Sequence, residues 1–112
     1  MTTKAKVCAP WIPGYDYSVF YIKDDKVEIL KEDTEWKGWL WCKGKNQKGA
    51  WVPSSYLEIF SVTSGKFLKN YSSRELKVQP GEEVFILEKY CGWCLVINSL
   101  NESGWVPEKN LT

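Results

Sequence analysis

The chain states one pattern twice. Gly38-Trp39-Leu40-Trp41-Cys42 is followed by Ala50-Trp51-Val52-Pro53-Ser54-Ser55-Tyr56-Leu57. Gly92-Trp93-Cys94-Leu95-Val96 is followed by Gly104-Trp105-Val106-Pro107-Glu108-Lys109-Asn110-Leu111. The intervals Trp39 to Pro53 and Trp93 to Pro107 are both 14 residues. A repeat of this kind outranks other sequence signals, because each copy must be a structural unit in its own right. The 112 residues therefore split into units of roughly 50–60 residues, near the lower limit for a self-sufficient core.

Units this small need side chains that bury much area each. The chain supplies them as 7 Trp, 6 Tyr and 4 Phe. Aromatic rings fill a small core effectively, and left exposed they make good binding surface. Net charge is +1, from 15 basic and 14 acidic residues, with no basic stripe; this argues against nucleic-acid binding driven by phosphate contacts. No apolar stretch approaches the ~20 residues of a membrane span. The opening Met1–Lys6 lacks a long apolar segment, so a cytoplasmic location is the expectation, and Cys8, Cys42, Cys91 and Cys94 are expected as free thiols.

Strand signals dominate. Lys26–Leu30 and Glu83–Leu87 follow the turn signals Asp24-Asp25 and Pro80-Gly81-Glu82, and their β-branched and apolar content suits strands. Trp39–Lys43 and Trp93–Asn98 read as the next strands. Turn-rich segments join them to short strands at Trp51-Val52 and Trp105-Val106, each ended by proline. A single 3₁₀ turn is predicted after each proline. No helical period runs over any long window. Offsets between the copies are 60 residues from Trp11 to Tyr71, 57 from Ile29 to Ile86, and 54 from Trp39 to Trp93. The first copy therefore carries three extra residues before the Val27 strand and three between Leu30 and Gly38, both in loops, where insertions cost little. The linker, Glu58 to Ser64, contains Ile59, Phe60 and Val62. It is expected to extend a strand or to pack between the units.

These residues resemble the Src homology 3 (SH3) family over nearly the whole chain. Phe67-Leu68-Lys69-Asn70-Tyr71 stands where the family has Ala-Leu-Tyr-Asp-Tyr. Glu75–Glu82 is similar to its Glu-Leu-Ser-Phe-Lys-Lys-Gly-Asp run, and Trp51–Leu57 to its Tyr-Ile-Pro-Ser-Asn-Tyr-Val signature. The pattern is closer to the variant SH3 domains common in bacteria than to signalling adaptors. The resemblance implies an all-β fold of two tandem five-stranded, partly open barrels, at 1–59 and 64–112, joined by a short linker. It also implies a non-catalytic module that takes protein or proline-rich peptide ligands in a shallow aromatic groove, without a cofactor.

Carried over residue by residue, the resemblance places Trp11, Trp39, Pro53 and Tyr56 in the groove of the first copy, with Asp16 orienting a basic ligand residue and Ala9 thinning the groove. The second copy keeps Tyr71, Trp93 and Pro107. Its other two tyrosine positions are Lys69 and Asn110, so its groove is polar and the first copy is the expected binding site. Trp39 is expected on a solvent-facing rim. Trp51 and Trp105 are expected in barrel packing, while Trp41 shares a strand face with Trp39 or covers the other unit. Self-association through the surplus tryptophans, and recognition of a cationic ligand by Trp39, Tyr56 and Asp16, are the alternative functions. The oligomeric state stays open between monomer and weak dimer.

Cys91-Gly92-Trp93-Cys94 has redox-motif spacing but leads into a strand rather than opening a helix. Histidine is absent, which leaves a serine nucleophile without its usual base and a zinc site short of ligands. Neither catalysis nor metal binding is expected.

Overall fold

The computed structural model describes residues 3–112; Met1 and Thr2, which open the expected 1–59 segment, lie outside the described residues. The fold is all-β, with several sheets and no closed barrel. The strands are β1 (Thr3–Lys6), β2 (Phe20–Tyr21), β3 (Lys26–Glu32), β4 (Trp39–Lys43), β5 (Gly49–Pro53), β6 (Leu57–Ser61), β7 (Ser64–Phe67), β8 (Tyr71–Ser72), β9 (Glu83–Tyr90), β10 (Trp93–Asn98) and β11 (Ser103–Pro107). Single 3₁₀ turns follow the two prolines, at Ser54–Tyr56 and Glu108–Asn110. Among the described residues no helix is long and apolar enough to cross a membrane.

Two compact units form, but not at the expected boundaries. Unit 1 is Met1–Tyr17 together with Arg74–Thr112, and unit 2 is the continuous segment Ser18–Ser73. The cut at 59/64 is corrected because the first strands of the two copies exchange places. β1 and β7 are equivalent by repeat offset. Yet β1 pairs with β9 of the second copy, Ala5 opposite Val84, and β7 pairs with β3 of the first, Val27 opposite Gly65. Unit 1 is the sheet β1-β9-β10-β11; unit 2 holds the sheet β5-β4-β3-β7-β6 and the pair β2-β8.

The linker explains the exchange. β6 and β7 are separated only by Val62 and Thr63, and they form an antiparallel hairpin. Its turn is closed by Ser61 Oγ to Ser64 Oγ at 2.9 Å and by the Thr63 N–H donating to Ser61 Oγ at 3.2 Å. So short a connection makes the local hairpin the cheapest pairing in loop entropy. With β7 laid beside β6, it also lies against β3 and fills the slot that β1 would take. Gly65 suits this seam, since a Cβ there would lie 2.8 Å from the Glu58 carbonyl oxygen of β6. β1 then completes the other unit. Its free edge meets the chain end, with the Lys6 N–H donating to the Thr112 carbonyl at 3.1 Å and the Thr112 N–H to the Lys6 carbonyl at 2.8 Å.

Each unit has its own core. Unit 1 buries Ala5, Val7, Leu76, Val78, Val84, Cys94, Val96 and Val106, with Trp11, Ile86 and Leu111 packed against them. In unit 2 the aromatic rings dominate. Tyr21 stacks on Phe67 at 4.7 Å and Phe67 on Tyr71 at 5.8 Å, so two rings of the second copy fill the core built on the first copy's strands.

Candidate functional site

The exchange redistributes the expected groove residues. Trp39, Pro53 and Tyr56 stay together in unit 2, but the Tyr71 that meets Tyr56 there, at 5.2 Å edge to face, comes from the second copy. Trp11 and Asp16 fall in unit 1 with Trp93 and Pro107. The groove of Trp11, Trp39, Pro53 and Tyr56 expected on one barrel is thus divided between the units.

Unit 2 presents little of its aromatic cluster. Trp39 is 4 % exposed, Tyr56 4 % and Tyr71 3 %, and Pro53 is fully buried. The expectation of a solvent-facing indole at 39 is therefore corrected. Trp39 stands opposite Pro53 across β4 and β5; the period of two that sets its face carries no record of what covers that face. Lys69, at a family tyrosine position, lies with its ammonium 4.1 Å from the Tyr56 ring centroid. That is close cation–π geometry, and it puts a chain-borne cation where a ligand would meet this ring. The surplus Trp41 pairs across strands with Trp51 at 5.0 Å. Its ring overlies Gly49, where a Cβ would overlap it, so the sheet itself accommodates this tryptophan.

Unit 1 presents a different surface. Trp11 and Trp93, both part-buried, meet edge to face with centroids 5.4 Å apart, an arrangement favoured by the ring quadrupoles. Trp93 stands opposite the buried Pro107 across β10 and β11. The Trp11 backbone is locked to Val78 by reciprocal bonds, N–H to carbonyl at 3.0 Å and 3.1 Å. Its indole N–H donates to Glu75 Oε1 at 3.1 Å, and the Gly14 N–H donates to the same oxygen at 3.3 Å. The indole therefore offers its ring, with its donor already engaged. Asn110 is buried and donates through Nδ2 to the carbonyls of Ala9 at 3.3 Å and Pro10 at 3.0 Å, which ties down the approach to Trp11. Asp16 is exposed between Tyr15 and Tyr17, whose rings lie 5.8 Å apart. Glu75 thus sets one carboxylate directly against Trp11 and Gly14, while Asp16 follows five residues after Trp11 in the chain.

The partners of Glu75 and Asn110 escape sequence reasoning. Glu75 reads as the head of the Glu75–Glu82 run and Asn110 as a groove position made polar. Their partners lie 64 and about 100 residues away, and only the strand exchange brings them near.

The cysteine motif is a tight turn. Cys91 and Gly92 both have positive φ, 43° and 90°, between the paired Tyr90 and Trp93, as in a two-residue hairpin. Cys94 is buried, and burial pushes its thiol up to about 11, with Glu108 adding to the rise and Lys89 opposing it. Burial pushes Cys42 up to about 12. Both are held as thiols near neutrality, the inert form. Cys8 and Cys91 are exposed. Iodoacetamide at pH 8 will therefore label Cys8 and Cys91 in the native protein, and all four cysteines only after denaturation, as counted by mass spectrometry. The raised values also fix a sign: an unfolded chain ionises these thiols first, so stability falls as pH climbs from 9.0 through about 11 and 12.

No curated protein and no solved structure matches the chain. One family model does, that of the SH3 domain, over residues 69–108. Within the fold that matched stretch opens in unit 2, at Lys69–Ser73, and continues in unit 1 from Arg74. The match supports an SH3 domain in this chain.

Proposed function

We propose that the protein is a non-catalytic interaction module that takes a proline-rich peptide or protein segment on unit 1, at the surface formed by Trp11 and Trp93. The observation that carries this reading is the part-buried edge-to-face pair, with Trp11 held by Glu75. SH3 domains in general bind proteins through aromatic surfaces of this chemistry. Extended proline-rich segments suit a shallow site because they lose little chain entropy on docking. The Glu75 carboxylate favours a ligand with a basic residue beside its prolines. The site moves from the first copy's aromatics to a composite one, with Trp11 from the first copy and Trp93 from the second.

An Arg-containing proline-rich peptide library, titrated against the full chain while backbone and indole NMR shifts are followed, tests this. The expected affinity lies between micromolar and sub-millimolar, about −5 to −8 kcal/mol. Trp93→Ala and Trp11→Phe should each weaken binding by about tenfold or more, since buried aromatic anchors dominate such surfaces. Shifts confined to the Trp39–Tyr56 cluster, or binding unchanged by Trp93→Ala, would remove the reading.

A further inference from the structure

We propose that unit 2 acts as a folded clip that sets the order of the Trp11 site on unit 1. The site lies on two separate stretches of chain, one reaching Tyr17 and the other starting at Arg74. The Glu75 carboxylate, which holds the Trp11 indole and the Gly14 amide, belongs to the second stretch; the residues it holds belong to the first. All of unit 2, about 56 residues, is threaded between them.

Folded, unit 2 brings its own ends together. The Val19 N–H donates to Ser73 Oγ at 2.8 Å, the Ser73 N–H donates to the Val19 carbonyl at 3.0 Å, and Phe20 pairs with Ser72. It thereby delivers the two stretches side by side. Unfolded, a segment of that length has a root-mean-square span of roughly 40 Å. Glu75 and Trp11 would then have to close a long flexible loop, with a logarithmic entropy penalty in its length. Unit 2 consequently preorganises the Trp11–Glu75 contact through chain connectivity alone. The coupling is reciprocal by linkage, but unit 2 is one continuous segment, whereas unit 1 is assembled from two stretches and carries the longer loop to close. The proposal concerns the order of the site and holds whatever ligand the site takes.

Hydrogen exchange on the full chain tests it. Phe67→Ala empties the aromatic core of unit 2, where its ring stacks on Tyr21 and Tyr71. Exchange of the Trp11 indole N–H and the Val78 amide should then accelerate on the order of 10- to 100-fold, with a smaller change at Val96 in the core of unit 1. Joining the ends of unit 2 with a disulfide at the paired positions, Phe20→Cys and Ser72→Cys, should restore slow exchange in the Phe67→Ala background, and reduction should abolish the rescue. Should Phe67→Ala unfold the whole chain, Val27→Ala with the same disulfide carries the comparison. Unchanged Trp11 exchange while Ile29 and Val52 exchange freely would overturn the proposal, as would acceleration that the disulfide fails to reverse.

Discussion

Phe67→Ala will unfold strands of the other copy. The residue belongs to the second repeat by sequence, yet its fully buried ring stacks on Tyr21 and stands within the unit built from β3, β4 and β5. Truncating a buried phenylalanine costs about 3–5 kcal/mol. A unit of this size is stable by only about 3–8 kcal/mol, at 0.05–0.15 kcal/mol per residue. Loss of amide protection at Ile29, Cys42 and Val52 is the expected result, with protection retained at Val84 and Val96. Loss confined to residues 83–107 would mean that each copy folds on its own strand, and the exchanged topology would fall.

Val7→Asp is the reciprocal case. Val7 is 1 % exposed and packs with Val78, Val84 and Val96 of unit 1. A carboxylate there has no partner in an apolar cluster, and burying it costs several kcal/mol unless it takes up a proton. Unit 1 should lose protection at Val84 and Val96 near neutral pH, while β3, β4 and β5 keep theirs. Since the neutral acid is easier to bury, lowering the pH toward 4 should restore part of the lost stability. Protection lost first at Ile29 would contradict the placement of β1.

The two experiments mark where sequence reasoning succeeds and where it stops. The strands Trp39–Lys43 and Trp93–Asn98, and the 3₁₀ turns after Pro53 and Pro107, are legible because aromatic and β-branched runs bounded by turn residues fix local conformation. The loop insertions are legible because the repeat offsets change only there. Partnership is not legible. β1 and β7 are repeat equivalents, so either can complete either sheet, and the choice rests on the Val62-Thr63 turn. The candidate site follows the same division. Trp11 and Trp93 can be named from the repeat, but their contact needs the exchange. The burial of Trp39 also escapes, since alternation along a strand reveals two faces without saying which one is covered.

The Val62-Thr63 turn also imposes a timetable on synthesis. β6 and β7 are made in immediate succession, whereas β1 ends at Lys6 and its partner β9 begins only at Glu83. At about 5–20 residues per second, β7 follows β6 within roughly a second and the hairpin can form at once. β1 must wait for β9, so unit 2 can close while unit 1 still lacks most of its strands.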